Sequence, residues 1–123
     1  MNTDKKKTLV VGGSVKPERY SNKAIHKLKA YGHEVVSIGL REGNVNGVEI
    51  QQGLPQFKDI HTVTMYIGPQ NQSSYYNYLL NLNPTRIIFN PGTENEEFEK
   101  LASDNGIETV SHCTLIMLDH DLF

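Results

Sequence analysis

Thr8-Leu9-Val10-Val11-Gly12-Gly13-Ser14 is the stretch on which the fold turns. A continuous run rich in β-branched residues, stopped by two glycines, reads as a strand buried on both faces, the kind found in parallel sheets. The segment that follows repeats Ala24, Ile25, Leu28 and Tyr31 at helical spacing. Ser21 is placed to cap it and Gly32 to stop it. Glu34-Val35-Val36-Ser37-Ile38 is a second strand, ended by Gly39.

Farther along, residues 44–50 hold two turn signals and an extended piece around Val48, and Leu54-Pro55-Gln56-Phe57 is expected to form one helical turn. A strand over 62–67 precedes a helix over 71–82, which carries Tyr75, Tyr78, Leu79 and Leu82 on one face and ends at Asn83-Pro84. Arg86-Ile87-Ile88-Phe89 is a strand broken by Asn90-Pro91-Gly92. A helix over 94–105 turns Phe98, Leu101 and Ala102 inward and stops at Gly106. Residues 107–110 form the last strand, and the apolar tail is expected to pack back on the domain. Short strands alternating with longer helices predict βαβ units with right-handed crossovers. The expected class is α/β: a Rossmann-like, doubly wound, mostly parallel sheet of five to six strands in three αβα layers.

With 123 residues the chain has the length of one domain, expected to span 1–123 with residues 1–7 flexible. No apolar run reaches the ~20 residues a bilayer span requires. The lysine-rich start does not resemble a signal peptide, and the lone Cys113 cannot form an internal disulfide, so a cytoplasmic location is expected. A net charge of −2 argues against a general nucleic-acid binder. The charge is nevertheless uneven: nine Lys and Arg face three acids up to Arg41, whereas three face eleven from Glu42 onward. Two readings fit the basic first third: a solvated helix face, or a local site for an anionic ligand.

Ligands of open doubly wound sheets sit at the carboxyl ends of the strands, where strand order reverses. Four loops meet that condition: residues 12–22, 39–41, 68–69 and 90–92. In the first, the glycines would admit close backbone approach and the free amides of the next helix would face an anion. Ser14, Ser21 and Asn22 could hydrogen-bond phosphate oxygens, while Lys16 and Arg19 add charge. The plainer alternative is an ordinary βα turn with a capped helix. The loop lacks the Gly-Lys-Ser/Thr of a Walker A motif, and Ser14 and Pro17 stand where a dinucleotide fingerprint has glycines. The second strand ends in Leu40-Arg41 without a ribose-binding acid, which disfavours NAD.

Val10-Val11-Gly12-Gly13-Ser14, Pro17-Glu18-Arg19-Tyr20-Ser21-Asn22 and Asn90-Pro91-Gly92-Thr93-Glu94-Asn95-Glu96-Glu97 together resemble the small stand-alone CoA-binding proteins. These share the Rossmann-like CoA-binding domain of the succinyl-CoA synthetase alpha subunit. The resemblance runs from about Thr8 to Cys113. It implies that Gly12, Ser14, Lys16, Arg19, Ser21 and Asn22 line the phosphates of coenzyme A or an acyl-CoA, with Arg41 nearby. It further implies that Ile67, Gly68 and Pro69 wall the adenine or pantetheine path, and that Asn90, Pro91 and Gly92 form the far rim. Leu40-Arg41 departs from the Asn-Pro that relatives often carry after the second strand. Physically, CoA wants amides and cations for its diphosphate and an apolar slot for adenine. Two or three charged hydrogen bonds of about 1.5–3 kcal/mol each would support roughly micromolar binding.

The same resemblance implies no catalysis by this chain alone, because the synthetase's phosphorylated histidine belongs to another domain. His26, His33 and His61 read as surface residues. His112, Cys113 and His120 match no zinc pattern, so no metal is expected, and Cys113 reads as a buried structural thiol. Glu94, Glu96, Glu97 and Glu99 suit the start of a helix. The expected partner is therefore a small nucleotide ligand, with neither nucleic acid nor membrane. The alternatives are an acyl-CoA-handling enzyme subunit, completed by a partner chain or by Cys113, and a nicotinamide-nucleotide sensor. Residues 115–123 are open to being either a homo-oligomer interface or a packed terminus.

Overall fold

The computed structural model describes residues 4–123. Seven strands form one sheet: β1 (Thr8–Val11), β2 (Val35–Ile38), β3 (Gly43–Val45), β4 (Val48–Gln51), β5 (Thr62–Met65), β6 (Arg86–Phe89) and β7 (Glu108–Ser111). Their order across the sheet is β3-β4-β2-β1-β5-β6-β7, all pairs parallel except β3 with β4. The α/β doubly wound class is as expected. The count exceeds five or six because Asn46-Gly47 folds the segment after β2 into a hairpin. Both residues have positive φ, 51° and 85°, as a tight primed turn requires.

Four helices complete the layers: α1 (Tyr20–Ala30), α2 (Tyr76–Leu82), α3 (Glu96–Asp104) and α4 (Thr114–Asp119). Alternation along β1 divides the interior. Leu9 and Val11 join Val63, Met65, Leu79, Phe89 and Phe98 in one core, on the side of α2 and α3. Val10 joins Ile25, Leu28, Ile88, Met117, Leu118 and Phe123 in the other, on the side of α1 and α4. The tail thus packs back on the domain through Leu118 and Phe123, leaving Ile116 and Leu122 exposed.

Three local expectations need correction. Ser21 does not cap α1: Arg19 takes the cap position without a side-chain bond, and Ser21 lies inside the helix, buried. Leu54–Phe57 forms no helix; Pro55 O instead accepts a hydrogen bond from the Tyr78 hydroxyl at 2.5 Å, which holds the segment extended against α2. The helix expected over 71–82 is broken into two 3₁₀ turns, Pro69–Asn71 and Ser73–Tyr75, before α2 begins. The break centres on Gln72, whose side chain is drawn wholly into the interior. Of the start expected to be flexible, residues 1–3 lie outside the described residues. Beyond them, Lys5 Nζ donates to Tyr31 O at 2.9 Å, and Lys7 lies 3.7 Å from Glu34.

Candidate ligand-binding site

β1 is flanked by β2 on one side and β5 on the other, so strand order reverses between β1 and β5. The crevice of a doubly wound sheet opens at that point, outside the carboxyl ends of the strands. Here it is bounded by residues 12–22, 39–41 and 66–69.

Gly12 and Gly13 make the turn out of β1, both amides donating to Ile38 O at 2.9 and 3.0 Å. Gly12 has φ +96°, and a Cβ on it would lie 2.8 Å from Ile67 Cγ2; one on Gly13 would lie 2.2 Å from Ser37 Oγ. Contact between neighbouring strand ends therefore demands this pair, whether or not a ligand approaches it. Ser14 shapes the next turn, its Oγ accepting from Lys16 N at 3.1 Å and its carbonyl from Asn22 Nδ2 at 2.9 Å. Ser21 and Asn22 are buried, Ser14 is half-buried, and Lys16 and Arg19 are exposed. Asn22 thus serves as a strut beneath the loop. Among the described residues no carboxylate lies within ion-pairing distance of Lys16, Arg19 or Arg41. The opening turn of α1 also has no acidic residue and no side-chain cap. Cations without counter-ions beside uncapped helix amides constitute an anion cradle.

The other walls are held by buried amides. Gln72 Nε2 donates to Ile67 O at 3.0 Å and to Thr93 O at 2.7 Å, and its Oε1 accepts from Asn95 Nδ2 at 3.0 Å. It therefore welds the loop after β5 to the loop after β6. Asn90 lies beneath the far rim: Nδ2 donates to Thr64 Oγ1 at 2.7 Å and Met65 O at 2.8 Å, and Oδ1 accepts from Thr114 N at 2.8 Å. Pro69, Pro91 and Gly92 are exposed, and Ile67 and Gly68 half-buried. Asn95 caps α3 by accepting from Phe98 N, while Glu94 and Glu99 accept from Gly92 N and Asn95 N. The acidic run is accounted for by these local bonds.

Tyr66, at the carboxyl end of β5, was not singled out from the sequence. Burial pushes its phenol up to about 12, tempered by the Thr114 and Thr64 hydroxyls, and its buried oxygen makes no well-formed hydrogen bond. Cys113 is half-buried, not buried as expected, because it sits at the turn between β7 and α4. Among the described residues no three His, Cys, Asp or Glu side chains gather as metal ligands, and no helix is long and apolar enough to cross a membrane.

A family model described as "CoA binding domain" matches residues 6–119. The chain belongs to this CoA-binding domain family. A search of curated proteins found no match. Among solved structures, an uncharacterized protein is 49% identical with a TM-score of 0.95, the match covering 98% of this chain and 99% of that one. A hypothetical protein from Pyrococcus horikoshii OT3 is 25% identical (TM-score 0.85; 98% and 85% covered). A third structure, from Thermus thermophilus, is 24% identical (TM-score 0.82; 96% and 91% covered) and bears on the fold alone. For a CoA-binding domain, the donor set at the β1–β5 crevice is chemically apt: three cations without counter-ions and open amides suit a polyanion.

Proposed function

We propose that this chain binds coenzyme A or an acyl-CoA, seating the diphosphate on the turn that joins β1 to α1, and that it is a binding module without complete catalytic machinery. The observation that carries this reading is the set Lys16, Arg19 and Arg41, exposed and without acidic partners, beside uncapped helix amides. Lys16 and Arg19 would meet the diphosphate and Arg41 the ribose phosphate. Ile67, Gly68 and Pro69 would wall the path of the adenine or pantetheine. Asn22, Gln72 and Asn90 would act from beneath, holding the loops in place. Calorimetry with CoA tests this directly. Arg19→Ala is expected to weaken binding about tenfold, the size of one lost charged contact. Unchanged affinity would overturn the role of Arg19.

One observation favours a second reading, in which the chain handles an acyl thioester through Cys113. That thiol is half-buried at the same edge of the sheet, and so is partly accessible. Incubation with an acyl-CoA followed by mass spectrometry separates the two readings. An adduct on Cys113 or loss of thioester supports the enzyme subunit, and an unchanged ligand and protein support the module.

A further inference from the structure

At the amino edge of the sheet, opposite the crevice, Arg86 opens β6 and is 7% exposed. Its Nε donates to Thr62 Oγ1 at 2.9 Å, and its buried Nη2 has no partner among the described residues. The Phe123 ring covers the guanidinium, 4.4 Å from its carbon, and leans on the His33 ring at 4.9 Å. Lys6 Nζ donates to Phe123 O at 3.0 Å. A buried cation is thus roofed by the last residue of the segment that follows α4.

Two imidazoles border this cation, and their bonding specifies their protonation. Lys6 N donates to His33 Nδ1 at 2.9 Å, so Nδ1 holds a lone pair and the ring is neutral. Thr62 Oγ1 accepts from Arg86, and its own proton has His61 Nδ1, 2.8 Å away, as acceptor. A proton on Nδ1 of His33 would break the first bond outright, and one on His61 would oblige Thr62 to turn. Each would also add charge to a positive neighbourhood. His33 faces Lys5, Lys6, Arg86 and His61; His61 faces Arg86 and Lys6, with Glu108 of β7 opposing them. Asp4 acts on Lys6, and Asp4 and Asp121 wall an adjoining cavity of about 20 Å³, room for one water. Burial first, and these cations second, hold both imidazoles below the ordinary histidine range.

We propose that Arg86, Lys6, His33 and His61 form a proton-operated latch on residues 117–123: neutral imidazoles let Phe123 close over Arg86, and protonated ones release it while the sheet stays folded. The release is local because β1, β5 and β6 are buried along their whole lengths, whereas the segment after α4 is short and largely exposed. The two halves of the proposal, protonation state and release, can be measured separately on the full chain.

Hydrogen exchange followed by mass spectrometry at pH 7.5 and 5.0, with the intrinsic rate at each pH divided out, reads the release. Protection in peptides covering 117–123 is expected to fall about tenfold or more at pH 5.0, the factor for one pKa unit of coupling. Protection of β1 should hold. The double variant H33N/H61N, in which an amide oxygen replaces each Nδ1 acceptor, should lose that pH dependence. Imidazole nitrogen spectra of the wild type should show the Nε2–H tautomer on both rings at neutral pH. Equal relative protection at the two pH values, an Nδ1–H tautomer at His33, or a full-sized fall retained in the variant would each overturn the latch. If the double variant does not fold, the wild-type exchange and the wild-type tautomers decide the matter.

Discussion

Truncating Asn90 to alanine would strand the Thr114 N–H, buried at the start of α4, and remove two further bonds to β5. A buried donor left without its partner costs about 1–3 kcal/mol, and an interlocked set more than one bond alone. Asn90→Ala is therefore expected to lower unfolding free energy by about 2–4 kcal/mol in urea titration. A loss below about 1 kcal/mol would contradict the clamp, since that is the net value of an ordinary hydrogen bond. The sequence places Asn90 at a strand end but cannot reveal that its amide turns inward. Gln72 is less legible still: a glutamine among polar residues reads as surface, and only the meeting of two distant loops gives its amide three partners. The first-loop glycines show the converse. Their positions stand out in the sequence, but contact with Ile67 and Ser37 requires them, ligand or no ligand.

β1, β2, β5, β6 and β7 announce themselves as apolar runs closed by Gly or Asn-Pro. The hairpin of β3 and β4 was harder to recognise, because strands of three and four residues carry too little alternation. Its signature is the turn itself, Asn46-Gly47. Gly47 has φ +85°, a conformation that a Cβ disfavours by about 1 kcal/mol. Gly47→Ala should therefore cost about 1 kcal/mol of stability, with the loss of protection concentrated in β3 and β4 when measured by hydrogen exchange. An equal loss across the sheet would mean that the hairpin is not a separable unit. The interruption ahead of α2 was not legible either, since residues 71–82 have an acceptable helical period. Burial of Gln72 overrides that local preference.

At the scale of the molecule, the two edges of the sheet differ in character. The carboxyl edge presents exposed cations at the strand reversal, whereas the amino edge buries Arg86 among neutral imidazoles. Because folding lowers the pKa of His33 and His61, the unfolded chain binds protons more readily than the folded one. This contribution to stability is present above the unfolded value near 6.5 and is lost as pH falls through the folded values. The urea midpoint should thus decline from pH 7 to pH 5 and decline less in H33N/H61N; a midpoint independent of pH would contradict the neutral assignment. The position of the crevice follows from topology, and topology was legible because the helices and strands alternate so regularly. The residues that line it depend on side-chain direction, which no sequence pattern supplies. The most direct measurement is a CoA titration followed by backbone amide NMR of the full chain. The account predicts that the first and largest shifts fall on residues 12–22 and 39–41, with smaller ones on 66–69. Shifts confined to other surfaces, or none at millimolar CoA, would contradict it.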